Sequence, residues 1–405
     1  MISTRKRRKK RRHQLRNALP AVTTAVFLIL FTALIACSAR TETERVSDTG
    51  PPPHLSAAAG SWTTDWGNTA IDTGELISGG VIRDGIPSID DPAHESVTEA
   101  AEWLADTEPV IVLEISGDAR AYPLSILTRH EIVNDTVGGV PVAVTFCPLC
   151  NSALVFDRQV DGDIYEFGVS GLLRNSDLVM YDRTTESLWQ QFTGEGIVGE
   201  HAGDVLGVVP SAIVGFADFA DTHPDGLVLS TGGRSYGRNP YAYYDSGTDI
   251  PFLFFGEPDD RLPLMLRVVG FVLEEKAIAY PYDVLSRERV VNDAIGDQDI
   301  VVFFRFGTNS ALDAPAIAEG RDVGAATVFD PTVEGERLVF SFDGEYFTDE
   351  QTNSAWSLLG TAVEGPLSGT ALSPLAHSDH FWFSWAAFYP DTEIYTGSED
   401  GETTE

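Results

Sequence analysis

The chain has 405 residues, 61 Asp and Glu against 27 Lys and Arg, and a formal charge of −34. So acidic a surface repels nucleic acid and anionic lipid, which excludes polyanion binding as a general role. Three cysteines are too few for a disulfide framework in a chain of this length.

Residues 5–16 read RKRRKKRRHQLR, and an uncharged run from Asn17 to Ala36 ends at Leu34-Ile35-Ala36-Cys37. A basic segment followed by an apolar one is the order of a secretory signal. The small residue before Cys37 resembles a lipobox, so residues 1–37 are expected to direct export and Cys37 to carry a lipid. The apolar run is also long enough to stay uncleaved as a signal anchor. In both cases the basic cluster remains inside, and the rest lies on the extracytoplasmic face of the cell membrane, with the lipid bilayer as its partner. Nine of the basic residues and none of the acids fall in 1–37, so the exported part is more acidic than the whole. Lys276 is its only lysine. That composition suits a high-salt setting, where counter-ions screen self-repulsion.

Residues 38–60 are polar, small and proline-rich, the composition of a flexible linker. Residues 61–107 form a lead-in. Residues 121–135, AYPLSILTRHEIVND, then align without a gap on 279–293, AYPYDVLSRERVVND, with eight of fifteen positions identical. Further matches place Asn151–Leu154 on Asn309–Leu312, Phe167–Gly171 on Phe340–Gly344, and Thr185–Trp189 on Thr352–Trp356. The expected organisation is a tandem duplication, 108–230 and 266–396, joined by a Tyr-, Gly- and Pro-rich insert at 231–265 and followed by an acidic tail at 397–405.

Short β-branched and aromatic runs predict strands at Val110–Ile115, Val140–Phe146, Ala153–Phe156, Leu178–Tyr181 and Val301–Phe306. Short helices are predicted at Val97–Ala105, Pro123–Glu131 and Pro281–Glu288, the last two with Pro in the first turn. The fold class is therefore mostly β with few short helices, two similar halves sharing one core about a pseudo-two-fold axis. Asn134-Asp135 and Asn292-Asp293 read as turn formers, and Trp189 and Trp356 as core anchors.

A doubled unit carries its own control: what both copies keep serves the fold, and what one copy alone holds is a candidate for chemistry. Cys147-Pro148-Leu149-Cys150 faces Arg305-Phe306-Gly307-Thr308, and His130 faces Glu288. The segment from Leu172 to Asp177, with Arg174, Asn175 and Ser176, has no counterpart. An apolar strand leads into the CPLC turn and another leads out, unlike the strand-to-helix setting of thioredoxin-type pairs. The context resembles a zinc knuckle. Cys147 and Cys150 are thus candidate metal or redox groups, with His130 as third ligand and His201 or Asp177 as weaker ones. A Cys2His site suits zinc or copper. Two alternatives stay open for the pair, a thiol–disulfide couple and a static local disulfide.

Arg174, Asn175, Ser176 and Asp177, with Arg234, Tyr236, Arg238 and Asn239 of the insert, are candidate ligand-binding residues. The insert's arginine forks and tyrosine faces, Tyr241, Tyr243 and Tyr244 among them, suit a sugar or an acidic peptide. His377-Ser378-Asp379-His380 reads as a loop before a buried run. No phosphate loop, nucleophile elbow or HExxH motif occurs, and no catalytic residue is assigned.

The stretches TFCPLCNSALVFDR, FGVSGLLRNSDLVMYDRTTESLWQQ, SYGRNPYAYY and HFWFSWAAFYPDT resemble the family known as domain of unknown function 3179, over about 75–396. That resemblance implies an extracytoplasmic protein with a signal or lipoprotein N-terminus. It brings no catalytic residues.

Overall fold

Short antiparallel strands dominate the computed structural model, which describes residues 50–247 and 250–397. Helices among the described residues are no longer than seven residues. The signal segment, Cys37 and most of the acidic tail lie outside the described residues. No described helix is long and apolar enough to cross a membrane.

The strand Pro109–Ile115 turns through Ser116 and Gly117, both at positive φ, into Asp118–Pro123. Two left-handed residues at the turn match the right-handed twist of the paired strands. The helix Leu124–His130 follows and is stopped by Glu131 at φ +59, whose N–H returns to Leu127 O. Pro123 stands at the N-cap, one place earlier than expected from sequence. A second hairpin then pairs Ile132–Val137 with Val140–Cys147, and Ser152–Asp157 adds to its edge.

Residues 267–329 run through the same order. Arg267–Leu273 pairs with Lys276–Pro281, the helix Tyr282–Glu288 ends at Arg289 (φ +68), and Val290–Ile295, Gln298–Arg305 and Ala325–Asp330 form the next sheet. Asn134 and Asp135 are not turn formers: they sit inside a strand, as do Asn292 and Asp293. Asn134 clasps the main chain of Phe167, accepting from its N–H and donating to its carbonyl, and Asn292 does the same for Phe340. Tyr122 and Tyr280 each donate to the following Asp, 135 or 293. Trp189 and Trp356 are fully buried, and each indole N–H is held by an aspartate, 182 or 349.

Both halves feed one core. The largest cluster joins Ile111, Val144, Phe156 and Trp189 of the first to Leu312, Phe381 and Phe383 of the second. Residues 53–59 depart from the linker expectation, since Leu55 and Ala59 are buried against Trp62, Trp66 and Leu76. Composition concealed this because only two apolar side chains do the anchoring. The segment His377–Phe381 is a buried strand paired with Arg267–Phe271, not a loop. The described part of the insert has no regular structure and lies against the first core through Tyr236, Tyr241, Tyr244 and Phe254.

Candidate metal centre

The CPLC segment is the turn of a hairpin whose last paired residues are Cys147 and Ser152. Apolar residues on both sides, Val144, Phe146 and Val155, fix the strands in the core, and Asn151 at φ +53 reverses the chain. The strand–turn–strand reading therefore holds. Both cysteines are free thiols and buried, and Cys147 Sγ contacts Ser176 O at 3.8 Å.

A second hairpin brings the third group. Phe167–Arg174 and Asp177–Asp182 are joined by Asn175 and Ser176, both at positive φ, so that Asp177 opens the returning strand directly beside the thiols. One ligating atom from each of Cys147, Cys150 and Asp177 lies within 4.8 Å of the others. Asp177 is fully buried; its Oδ2 accepts from Gln190 Nε2 at 2.6 Å and from the Phe192 N–H at 3.0 Å. Its Oδ1 has no hydrogen-bond partner.

Burial sets the electrostatics. It lifts the Asp177 carboxyl to about 7 against the opposing pull of Gln190 and of the two neighbouring thiols. It also raises Cys147, and Cys150 well above the ordinary thiol value. Glu131, also buried, is pushed up to about 8, first by desolvation and then by the Asp177 charge, with the Tyr241 hydroxyl opposing. At neutral pH the two thiols and Glu131 thus largely keep their protons and Asp177 is about half ionised, unless a cation joins them.

Tyrosines of the insert roof the centre. Tyr244 donates to Leu149 O at 2.9 Å and accepts from the Phe252 N–H, while Ser176 Oγ donates to Phe252 O. From the second half, the Phe381 N–H donates to Cys150 O at 2.8 Å. Phe192, whose N–H holds Asp177, stacks on His380 at 4.1 Å between ring centres.

The third group is Asp177, not His130. His130 Nδ1 contacts Pro87 O at 2.7 Å and its ring meets Tyr236 edge-on, outside the group that surrounds the sulfurs. His201 is held by Asp204 and packs between Tyr165 and Trp189. Arg174 pairs with Glu75 at 2.7 Å and lies over the Phe388 ring. Asn175 serves the turn, and Asn239 is buried with its amide committed to Ala311 O and Ala314 O. Glu131, Gln190 and the roofing role of Tyr241 and Tyr244 were not read from the sequence. A signal existed for Glu131: it faces Arg289 in the gapless alignment.

The second half fills the equivalent place differently. Arg289 lies 4.8 Å from the Phe306 ring centre and 4.9 Å from that of Phe342. Its hairpin, Phe340–Phe342 with Phe347–Asp349, has three-residue strands and ends before any counterpart of Asp177.

Fold and site define a mostly-β protein with a buried dithiol–carboxylate cluster. Residues 83–392 match the family model described as "Protein of unknown function (DUF3179)", and the chain belongs to that family. No curated protein and no solved structure matches it.

Proposed function

We propose that this is an extracytoplasmic protein tethered to the membrane through Cys37, whose first half binds a thiophilic divalent cation, zinc above others, on Cys147, Cys150 and Asp177. The observation that carries the reading is the convergence of these three groups in a dry site with one carboxylate oxygen unpartnered. Two sulfurs and a carboxylate are a donor set for zinc, and three protein ligands leave a fourth position open. Zinc would act as a Lewis acid there, and binding would take up the thiols and Asp177 as anions. Gln190 and the Phe192 N–H orient the carboxylate, as outer partners of a metal ligand do. Glu131, near enough for the Asp177 charge to act on it, carries its proton at neutral pH.

The duplication supports this reading, since Cys147, Cys150, Asp177 and Glu131 all belong to the half that differs from its partner. A thiol–disulfide couple fits less well. Attack requires an accessible thiolate, and burial lowers both access and thiolate fraction here.

The test is elemental analysis of the exported chain, with cobalt substitution read by the sulfur-to-cobalt charge-transfer band. We expect about one zinc per chain in wild type, and loss of metal and band in Cys147→Ser and Cys150→Ser. Equal metal content in wild type and both variants overturns the proposal. For the tether, Cys37→Ser is expected to release the protein from the membrane fraction; unchanged fractionation assigns the hold to the apolar run instead.

A further inference from the structure

A second site is marked by arginines that have no carboxylate. Among the described residues, every arginine except five lies within 4.0 Å of an Asp or Glu oxygen. Of the five, Arg158 is buried and donates to three backbone carbonyls, and Arg289 lies against phenylalanine rings. Of the remaining three, Arg129 and Arg238 meet in one place.

That place is a cleft of about 190 Å³ between the helix Leu124–His130 and the insert, with Arg129, Arg238, Tyr236 and Ser125 in its wall. Arg129 Nη2 donates to the carbonyl of Arg238, which fixes one edge of its guanidinium and leaves the other N–H groups to the cleft. Arg234 comes two residues before Tyr236, close enough to His130 for its charge to oppose protonation of that ring. Ser125 Oγ, buried and without a hydrogen-bond partner, is a further donor in the same wall. One carboxyl, Glu108, also lines the cleft; it accepts from the Ala105 N–H and forms no ion pair with these arginines.

In a protein with more than twice as many acids as bases, chance would pair these two cations with protein carboxylates. Keeping them together and unpaired costs mutual repulsion that an anion relieves. Guanidinium forks match carboxylate and phosphate oxygens two at a time. We propose that this cleft binds a small molecule bearing a carboxylate or phosphate group, held by Arg129 and Arg238. The site is independent of the cysteine centre.

The test uses the whole exported chain, titrated calorimetrically with inorganic phosphate and separately with citrate, at constant ionic strength in chloride. Saturable one-to-one binding of at least one probe is expected, and the preferred probe assigns phosphate or carboxylate. Affinity should fall tenfold or more in Arg129→Ala/Arg238→Ala, but not in Arg287→Ala, whose guanidinium is exposed beside Asp283. Thermal melts check folding, and Arg238→Gln serves should the double variant melt early. Unchanged affinity in folded arginine variants, or no saturable binding of either probe at millimolar concentration, overturns the proposal.

Discussion

Replacing Asp177 by Asn separates the cost of the buried carboxylate from its value as a ligand. The side chain keeps an oxygen for Gln190 Nε2 and the Phe192 N–H but can no longer ionise. In the metal-free wild type the folded carboxyl titrates at about 7, against about 3.9 in an unfolded chain. The unfolded chain therefore releases its proton first as pH rises, and wild-type stability falls across the interval between these values. Three units at about 1.4 kcal/mol each set an upper bound of about 4 kcal/mol, reached above neutrality and absent near pH 4. Urea unfolding with a chelator present should show Asp177→Asn equal to wild type at the acid end and more stable at pH 8. Adding zinc at about a hundred times its dissociation constant should restore about 2.7 kcal/mol of that deficit to wild type, a gain the variant largely forgoes. A pH-independent difference, or equal zinc stabilisation of both proteins, would refute the reasoning.

Asn134→Ala strips the partners from a buried N–H and carbonyl of Phe167, and should lower stability by about 2–4 kcal/mol in urea, with Asn292→Ala doing the same to Phe340. Gly270→Ala would drive a methyl to 2.1 Å from the Trp385 ring, so a melting temperature equal to wild type would contradict the packing described. His380 is buried and neutral, with its pKa pushed down to about 3 by desolvation. The unfolded chain takes up a proton first as pH falls below about 6.5, so wild type should lose stability from there downward and His380→Gln should show a shallower decline.

Strands were legible because burial on alternating or both faces leaves a β-branched signature. Val140–Cys147 and Ser152–Asp157 came within a residue of their predicted bounds, and so did the CPLC turn between them. The contrast between halves pointed to the thiols and to the hairpin that carries Asp177. It did not distinguish His130 from Glu131, adjacent residues that both differ from their counterparts. Glu131 adopts a left-handed conformation that ends the helix, so the two side chains leave in different directions. His130 goes to Pro87 and Tyr236, and Glu131 to Tyr241 and Asp177. Backbone hand at one residue decides that, and residue type does not encode it for a glutamate. Asn134 escapes its sequence for a related reason: the amide that closes turns equally well clasps the main chain of a neighbouring residue from within a strand, and only the strand's partner tells which.

The tyrosine roof has a kinetic consequence. With Tyr244 tied to the Leu149 carbonyl and Ser176 to Phe252, the sulfurs cannot meet an ion until those ties part. Loading would then belong to the moments before the insert docks, while the folding chain is still closing. Afterwards, an occupied centre would surrender its ion to a strong scavenger only at the pace of roof opening, whatever the scavenger's concentration.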